Sequence, residues 1–288
     1  MYDLFIAPFA EFDFMRRALA GVIILSLSAA PIGIFLMLRR MSLAGDVMAH
    51  AILPGTALGF LVAGLDLFAM TLGGIVAGIA VSVAAGLVAR FTELKEDAAL
   101  AAFYLVSLAL GVTLISLKGS NVDLFRVLFG SVLALDNPTL IVIASFTTFS
   151  LFVLALIWRP LVLECVDPGF LRSVSGSGTA VHLLFLVLVV LNLVAAFHAL
   201  GTLLAVGMMM LPAAAARFWT QDITRMAAIS VLMGMTAGLG GLLVSFHFNL
   251  PTGPAVILAA GVFYALSVVL GPVGGLRKRI PPRRHLEA

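Results

Sequence analysis

An aspartate and a histidine, Asp46 and His50, stand four residues apart inside an otherwise apolar stretch, SLAGDVMAHAILPGTALG. On a helix this spacing puts both side chains on one face. A carboxylate oxygen and an imidazole nitrogen on one face make half of a tetrahedral site for a divalent metal ion. A two-fold dimer with this helix on its axis would supply the other half. Ligation needs the neutral imidazole, so protons compete with the metal. A plainer reading stands beside this one: Asp46 caps the helix after Gly45, and His50 bonds a neighbouring helix. An aspartate within a membrane span costs about 3 kcal/mol, so it should face a partner or an aqueous path.

The other polar groups say less. His198 and His247 fall at the ends of apolar segments, where they could line the outer mouth of a cation path or sit as hydrogen-bonded interfacial residues. His182 and His285 carry no assignment. Met208, Met209 and Met210 are soft ligands in principle, but thioethers in an apolar helix are ordinary packing material. Asn192 reads as glue between helices. Asp46 is the carboxylate expected near membrane depth. Several chemistries are excluded. The Gly/Ser run SGSGT at 175–179 has no lysine and makes no phosphate loop. HExxH and GxSxG are absent, and the single cysteine, Cys165, rules out an internal disulfide framework.

The elements that must carry these groups follow from composition. Of 288 residues, 62% are hydrophobic and 11% charged, with a mean hydropathy of +1.18. A soluble domain carries about 25% charged residues, so a soluble enzyme, a nucleic-acid module and a disordered chain are all excluded. The expected fold is all-α: one polytopic membrane bundle of about nine transmembrane helices over 1–288. The spans are read at 17–38, 47–65, 69–89, 98–117, 138–158, 179–198, 201–218, 226–246 and 254–272. The run MRRALAGVIILSLSAAP mimics a signal peptide, yet its apolar character continues to Leu38, long enough to span. Residues 1–14 suit an outer interfacial segment, 121–135 a re-entrant or interfacial helix, and 277–288 form a basic tail. Thirteen of the seventeen Lys and Arg residues fall on one set of loops, which the positive-inside rule makes cytoplasmic. That places the N-terminus outside and the C-terminus inside. The longest inner connection, 159–178, contains Asp167-Pro168-Gly169-Phe170-Leu171-Arg172. This reads as a short helix start, with Asp167 as cap and Pro168 at the first position. It could dock a soluble partner or simply connect two spans.

Four stretches carry a resemblance: LRRMSLAGDVMAHAILPGTALG (38–59), LFGSVLAL (128–135), LGTLLAVGMMMLPAAAAR (200–217) and LPTGPAVILAAG (250–261). With them nearly the whole chain resembles the membrane permease of zinc/manganese ABC importers, most closely its zinc branch. The resemblance implies a fold of the vitamin B12 and siderophore importer type. It also implies a homodimer with a central pathway and metal coordination by Asp46 and His50. A cytoplasmic coupling segment would fall in 160–176, around Asp167, Gly169, Phe170 and Arg172, and meet a separate ABC ATPase dimer. A periplasmic metal-binding protein would dock outside, with Arg16 and Arg17 as plausible contacts. On this reading the chain is not itself an enzyme. It holds no permanent cofactor, binds no nucleic acid, and carries Zn2+ across a bacterial inner membrane. The alternatives are the same machine carrying Mn2+ or Fe2+, an ATP-independent secondary metal carrier, and a membrane scaffold without transport.

Overall fold

The computed structural model describes residues 2–64, 66–93, 96–117, 135–167, 170 and 178–276. Among these residues every regular element is helical. Two short helices, α1 (Tyr2–Phe5) and α2 (Ala7–Glu11), lead into the long α3 (Asp13–Leu38). The chain then forms α4 (Ala44–Ala51), α5 (Leu53–Ala63), α6 (Leu67–Phe91), α7 (Glu96–Leu117) and α8 (Asn137–Val166). It ends with α9 (Gly178–Leu200), α10 (Thr202–Ala216), α11 (Ile223–Phe248) and α12 (Thr252–Leu270).

Local chemistry sets the starts and stops. Asp66, Asp136 and Asp222 each accept a hydrogen bond from the backbone N–H three residues on, at 2.7, 3.0 and 2.8 Å, and so open α6, α8 and α11. These bonds satisfy amides that a helix start leaves unpaired. Asn249 ends α11 at φ 51 and Gly64 ends α5 at φ 68, both in the left-handed region that terminates helices.

Helices α3 and α9 form the centre of the bundle, each with 72% of its apolar window buried, and α10 packs against both. Side chains of Leu25, Ile32, Phe35, Phe185, Val189 and Met208 fill this core. Small residues allow the closest approaches. A Cβ at Gly55 on α5 would fall on the backbone carbonyl of Gly73 on α6, and one at Gly238 on α11 would overlap Val22 on α3. Close backbone contact of this kind drives helix association where lipid removes the hydrophobic incentive. Asn192 on α9 is 2% exposed and joins three helices. It accepts from the Ser28 hydroxyl of α3, and its amide donates to Ser150 Oγ of α8 at 2.8 Å and to the Leu188 carbonyl at 2.9 Å. Met208 and Met209 are fully buried packing residues.

Seven described helices are long and apolar enough to cross a membrane, and Ala98–Leu114 and Thr202–Ala216 are shorter apolar helices. The multi-span bundle is therefore observed, while the count of nine spans is not established. The second span, read from the sequence at 47–65, runs from Ala44 to Ala63; α4 and α5 meet within it at Ile52, which keeps helical dihedrals, with Pro54 in the first turn of α5. One expectation needs correction. The fifth does not stop at residue 158. Pro160 lies inside α8, which runs on to Val166, so the first part of 160–176 is helix rather than loop. A proline clashes mainly with the turn before it, and here Leu161 is buried in the core, holding the helix in place. The 121–135 segment lies outside the described residues save for Leu135, which is buried against Gly21, and the 277–288 tail lies outside them entirely.

Candidate metal site

Helix α4 has two faces. Ala44, Met48, Ala49 and Ala51 are buried, and Gly45 lies against Met209 of α10. Asp46 and His50 occupy the opposite face, with side chains 62% and 22% exposed. Leu43, not Asp46, is the N-cap residue, and no side-chain capping bond forms there. The capping alternative therefore loses its geometry, although a carboxylate in the first turn still benefits from the positive end of the helix dipole.

Asp46 Oδ1 and His50 Nε2 are 3.8 Å apart. This is too long for a hydrogen bond but within reach of one ion held by two bonds of about 2.1 Å. The His50 ring packs against Tyr104 of α7, with centroids 5.5 Å apart and an interplanar angle of 52°. Its Nδ1 is buried and has no hydrogen-bond partner among the described residues. Buried polar nitrogens without partners are uncommon and call for an explanation. Among the described residues no group of three or more His, Cys, Asp or Glu side chains could hold a metal ion. One chain thus presents two donors facing the same space, fewer than any of the common divalent-metal geometries needs.

Of the other anticipated residues, none whose side chain is described joins this pair. Arg16 is exposed and pairs with Asp13 one turn earlier. Arg17 is half-buried, with a buried Nε that has no hydrogen-bond partner among the described residues, and its charge acts on Asp136. His247 is exposed at the end of α11 and packs edge-on against Phe246, with ring centroids 5.4 Å apart. Helix α9 runs through His198, whose side chain lies outside the described residues. Asp167 accepts the Phe170 N–H at 2.9 Å, the bond expected of a cap. Gly169 and Arg172 lie outside the described residues.

Sequence reasoning missed Glu164, whose side chain is 11% exposed beside the 8% exposed Arg39. Glu164 is the more deeply buried of the two carboxylates, Asp46 being 62% exposed. The missed signal was an acidic residue directly after the apolar run LVL, hidden by ending the fifth span at residue 158 and reading 159–178 as a connection. His182, left without a role, lies 2.9 Å from Arg39 through its Nδ1.

Comparison with known proteins places this geometry in context. Residues 11–271 match the ABC 3 transport family. The chain is 34% identical over 272 residues to the manganese import system permease protein ScaB of Streptococcus parasanguinis, covering 94% of this chain and 96% of that one. It is 28% identical to a protein described as a probable iron transport system membrane protein from Haemophilus influenzae, covering 95% and 99%. Among solved structures, PsaBC from Streptococcus pneumoniae in complex with Fab superposes with a TM-score of 0.85 at 31% identity, covering 97% of this chain and 99% of that one. The expected zinc branch finds no support in these relatives, whose names specify manganese or iron.

Proposed function

The chain belongs to the ABC 3 transport family, and on that premise we propose that it is the membrane permease of an ATP-driven manganese importer. That it is a permease subunit of an ABC metal importer follows from the family and its relatives. The choice of Mn2+ is supported by the manganese permeases among those relatives. Iron(II) is the second reading, supported by the iron-named relatives. The expectation of Zn2+ came from the resemblance to the zinc branch, and a donor set of two oxygens and two nitrogens would suit that ion. Water molecules complete the larger shell that Mn2+ prefers, so the donor set does not discriminate strongly.

In the proposed mechanism Asp46 and His50 from two copies of the chain converge on one ion in transit. The observation that carries this is the 3.8 Å pair, on the face of α4 turned away from the core. The hold must be weak enough for release, as in any conducting site. A soluble metal-binding protein delivers the ion on the outer side, where α3 begins with Arg16 and Arg17. A separate ATPase dimer drives the cycle from the cytoplasmic side through the segment around Asp167 and Phe170. The bundle sits in the cytoplasmic membrane with its N-terminus outside, as the distribution of Lys and Arg requires.

Uptake of Mn2+ by cells depleted of their own importers tests this reading. His50→Ala and Asp46→Asn should each reduce uptake at least a hundredfold, because losing a ligand should exceed the 10–100-fold cost of losing a ligand's supporting partner. Both variants should still reach the membrane. Normal uptake by either would remove the pair from the pathway. Rescue of growth by Zn2+ but not Mn2+ would overturn the metal assignment alone.

A further inference from the structure

Arg39 closes α3 as its C-cap residue, and its guanidinium turns back into the bundle. Nη2 donates to Glu164 Oε1 at 2.8 Å, Nη1 lies 2.9 Å from His182 Nδ1, and Cζ lies 5.1 Å from the centre of the Phe185 ring. One buried cation thus joins the end of α3, the last turn of α8 and the start of α9. Stability alone does not account for this arrangement. A buried ion pair is costly to desolvate, and apolar side chains of similar volume commonly hold helices together as well or better. Among the described residues, Glu164 Oε2 is buried without a hydrogen-bond partner.

The position of the cluster gives it a role. Two residues beyond Glu164 α8 ends, next to the bond from the Phe170 N–H to the Asp167 carboxylate. On the other side, Arg39 is followed by a tight reversal. Arg40 adopts φ 61, the Met41 N–H bonds the Leu36 carbonyl, and α4 begins at Ala44. So short and hydrogen-bonded a connection passes a displacement of Arg39 directly to the helix bearing Asp46 and His50.

We propose that the Arg39–Glu164–His182 cluster is the latch through which movement of the Asp167–Phe170 segment reaches the metal-bearing helix α4, with Arg39 as its positioning residue. This rests on the permease reading above. Arg39 touches no metal; it sets where α4 stands when the coupling segment moves.

The test uses the complete complex of permease, ATPase and binding protein in proteoliposomes. It measures Mn2+ taken up per ATP hydrolysed, together with complex recovery and melting temperature. Glu164→Gln and Arg39→Gln should each lower uptake per ATP about tenfold, within the usual range of coupling between sites. Hydrolysis by the variants should persist. Arg39→Lys, which keeps the charge facing Glu164, should retain most of the coupling. A merely structural staple predicts the opposite pattern, a lower melting temperature and recovery with unchanged uptake per ATP, and that result overturns the latch. If Glu164→Gln fails to assemble, His182→Gln and Arg39→Gln decide: parental uptake per ATP in both also overturns it. Failure of the underlying permease reading looks different, because the parent complex would then take up no metal and Asp46→Asn would change nothing.

Discussion

The arm formed by α4 and α5 carries two glycines whose substitution should have opposite consequences. At Gly55, an added Cβ would lie 2.6 Å from the Ala77 Cβ and on the Gly73 carbonyl of α6. Those are atoms fixed to the main chain, which cannot rotate aside. Either the two helices part or the backbone bends, and overpacking of this kind costs about 1–3 kcal/mol, more where nothing yields. Alanine recovers about 1 kcal/mol through its better helix propensity, leaving a net loss of about 2 kcal/mol for Gly55→Ala. At Gly45, the nearest atom to an added Cβ is the terminal Met209 Cε at 2.7 Å. A thioether end swings away cheaply, so Gly45→Ala should be close to neutral. Thermal melts of the purified protein in detergent, followed by the fluorescence of its two tryptophans, separate the cases. Gly55→Ala should melt about 5 °C lower and Gly45→Ala within about 2 °C of the parent, taking 2–4 °C per kcal/mol for a chain of this size. If Gly55→Ala melts with the parent, α5 and α6 can separate at no cost, and the close-approach account of this arm is wrong.

Three further outcomes are expected. Asn192→Ala removes the polar bridge from α9 to α3 and α8, and should destabilise the bundle by about 1–2 kcal/mol, read in the same melts. Phe170, 53% exposed beside the Asp167 cap, is the proposed contact with the ATPase. Phe170→Asp should weaken ATPase binding about tenfold or more in a pull-down titration, and unchanged binding would mean the contact lies elsewhere. Asp136 titrates below the usual aspartate range because the Thr139 side chain and backbone hydrogen-bond its charged form. Its contribution to stability is complete above the unfolded value of about 3.9 and is lost as pH falls through the lower folded value. Asp136→Asn should flatten the acid limb of melting temperature against pH, and an unaltered limb would show that this cap does not report on folding.

The hydropathy of the chain by itself determined an all-helical membrane protein, because a bilayer leaves backbone polar groups no partners outside a helix or a closed barrel. The i, i+4 spacing of Asp46 and His50 likewise put them on one face before any coordinates were known, since that face depends only on helical pitch. The starts of α6, α8 and α11 at Asp66, Asp136 and Asp222 are local as well: a carboxylate reaches an amide three residues on whatever the rest of the chain does. Tertiary contacts decided the rest. The hydropathy pattern ended the fifth span at residue 158, but burial of Leu161 carries α8 through Pro160 to Val166. Leu43 took the capping position that Asp46 seemed to claim. Glu164, Arg39 and His182 are separated by long stretches of sequence, and nothing in their spacing says that three helix ends meet. A buried charge selects its partners by proximity in space, and sequence patterns record proximity only along a single helix.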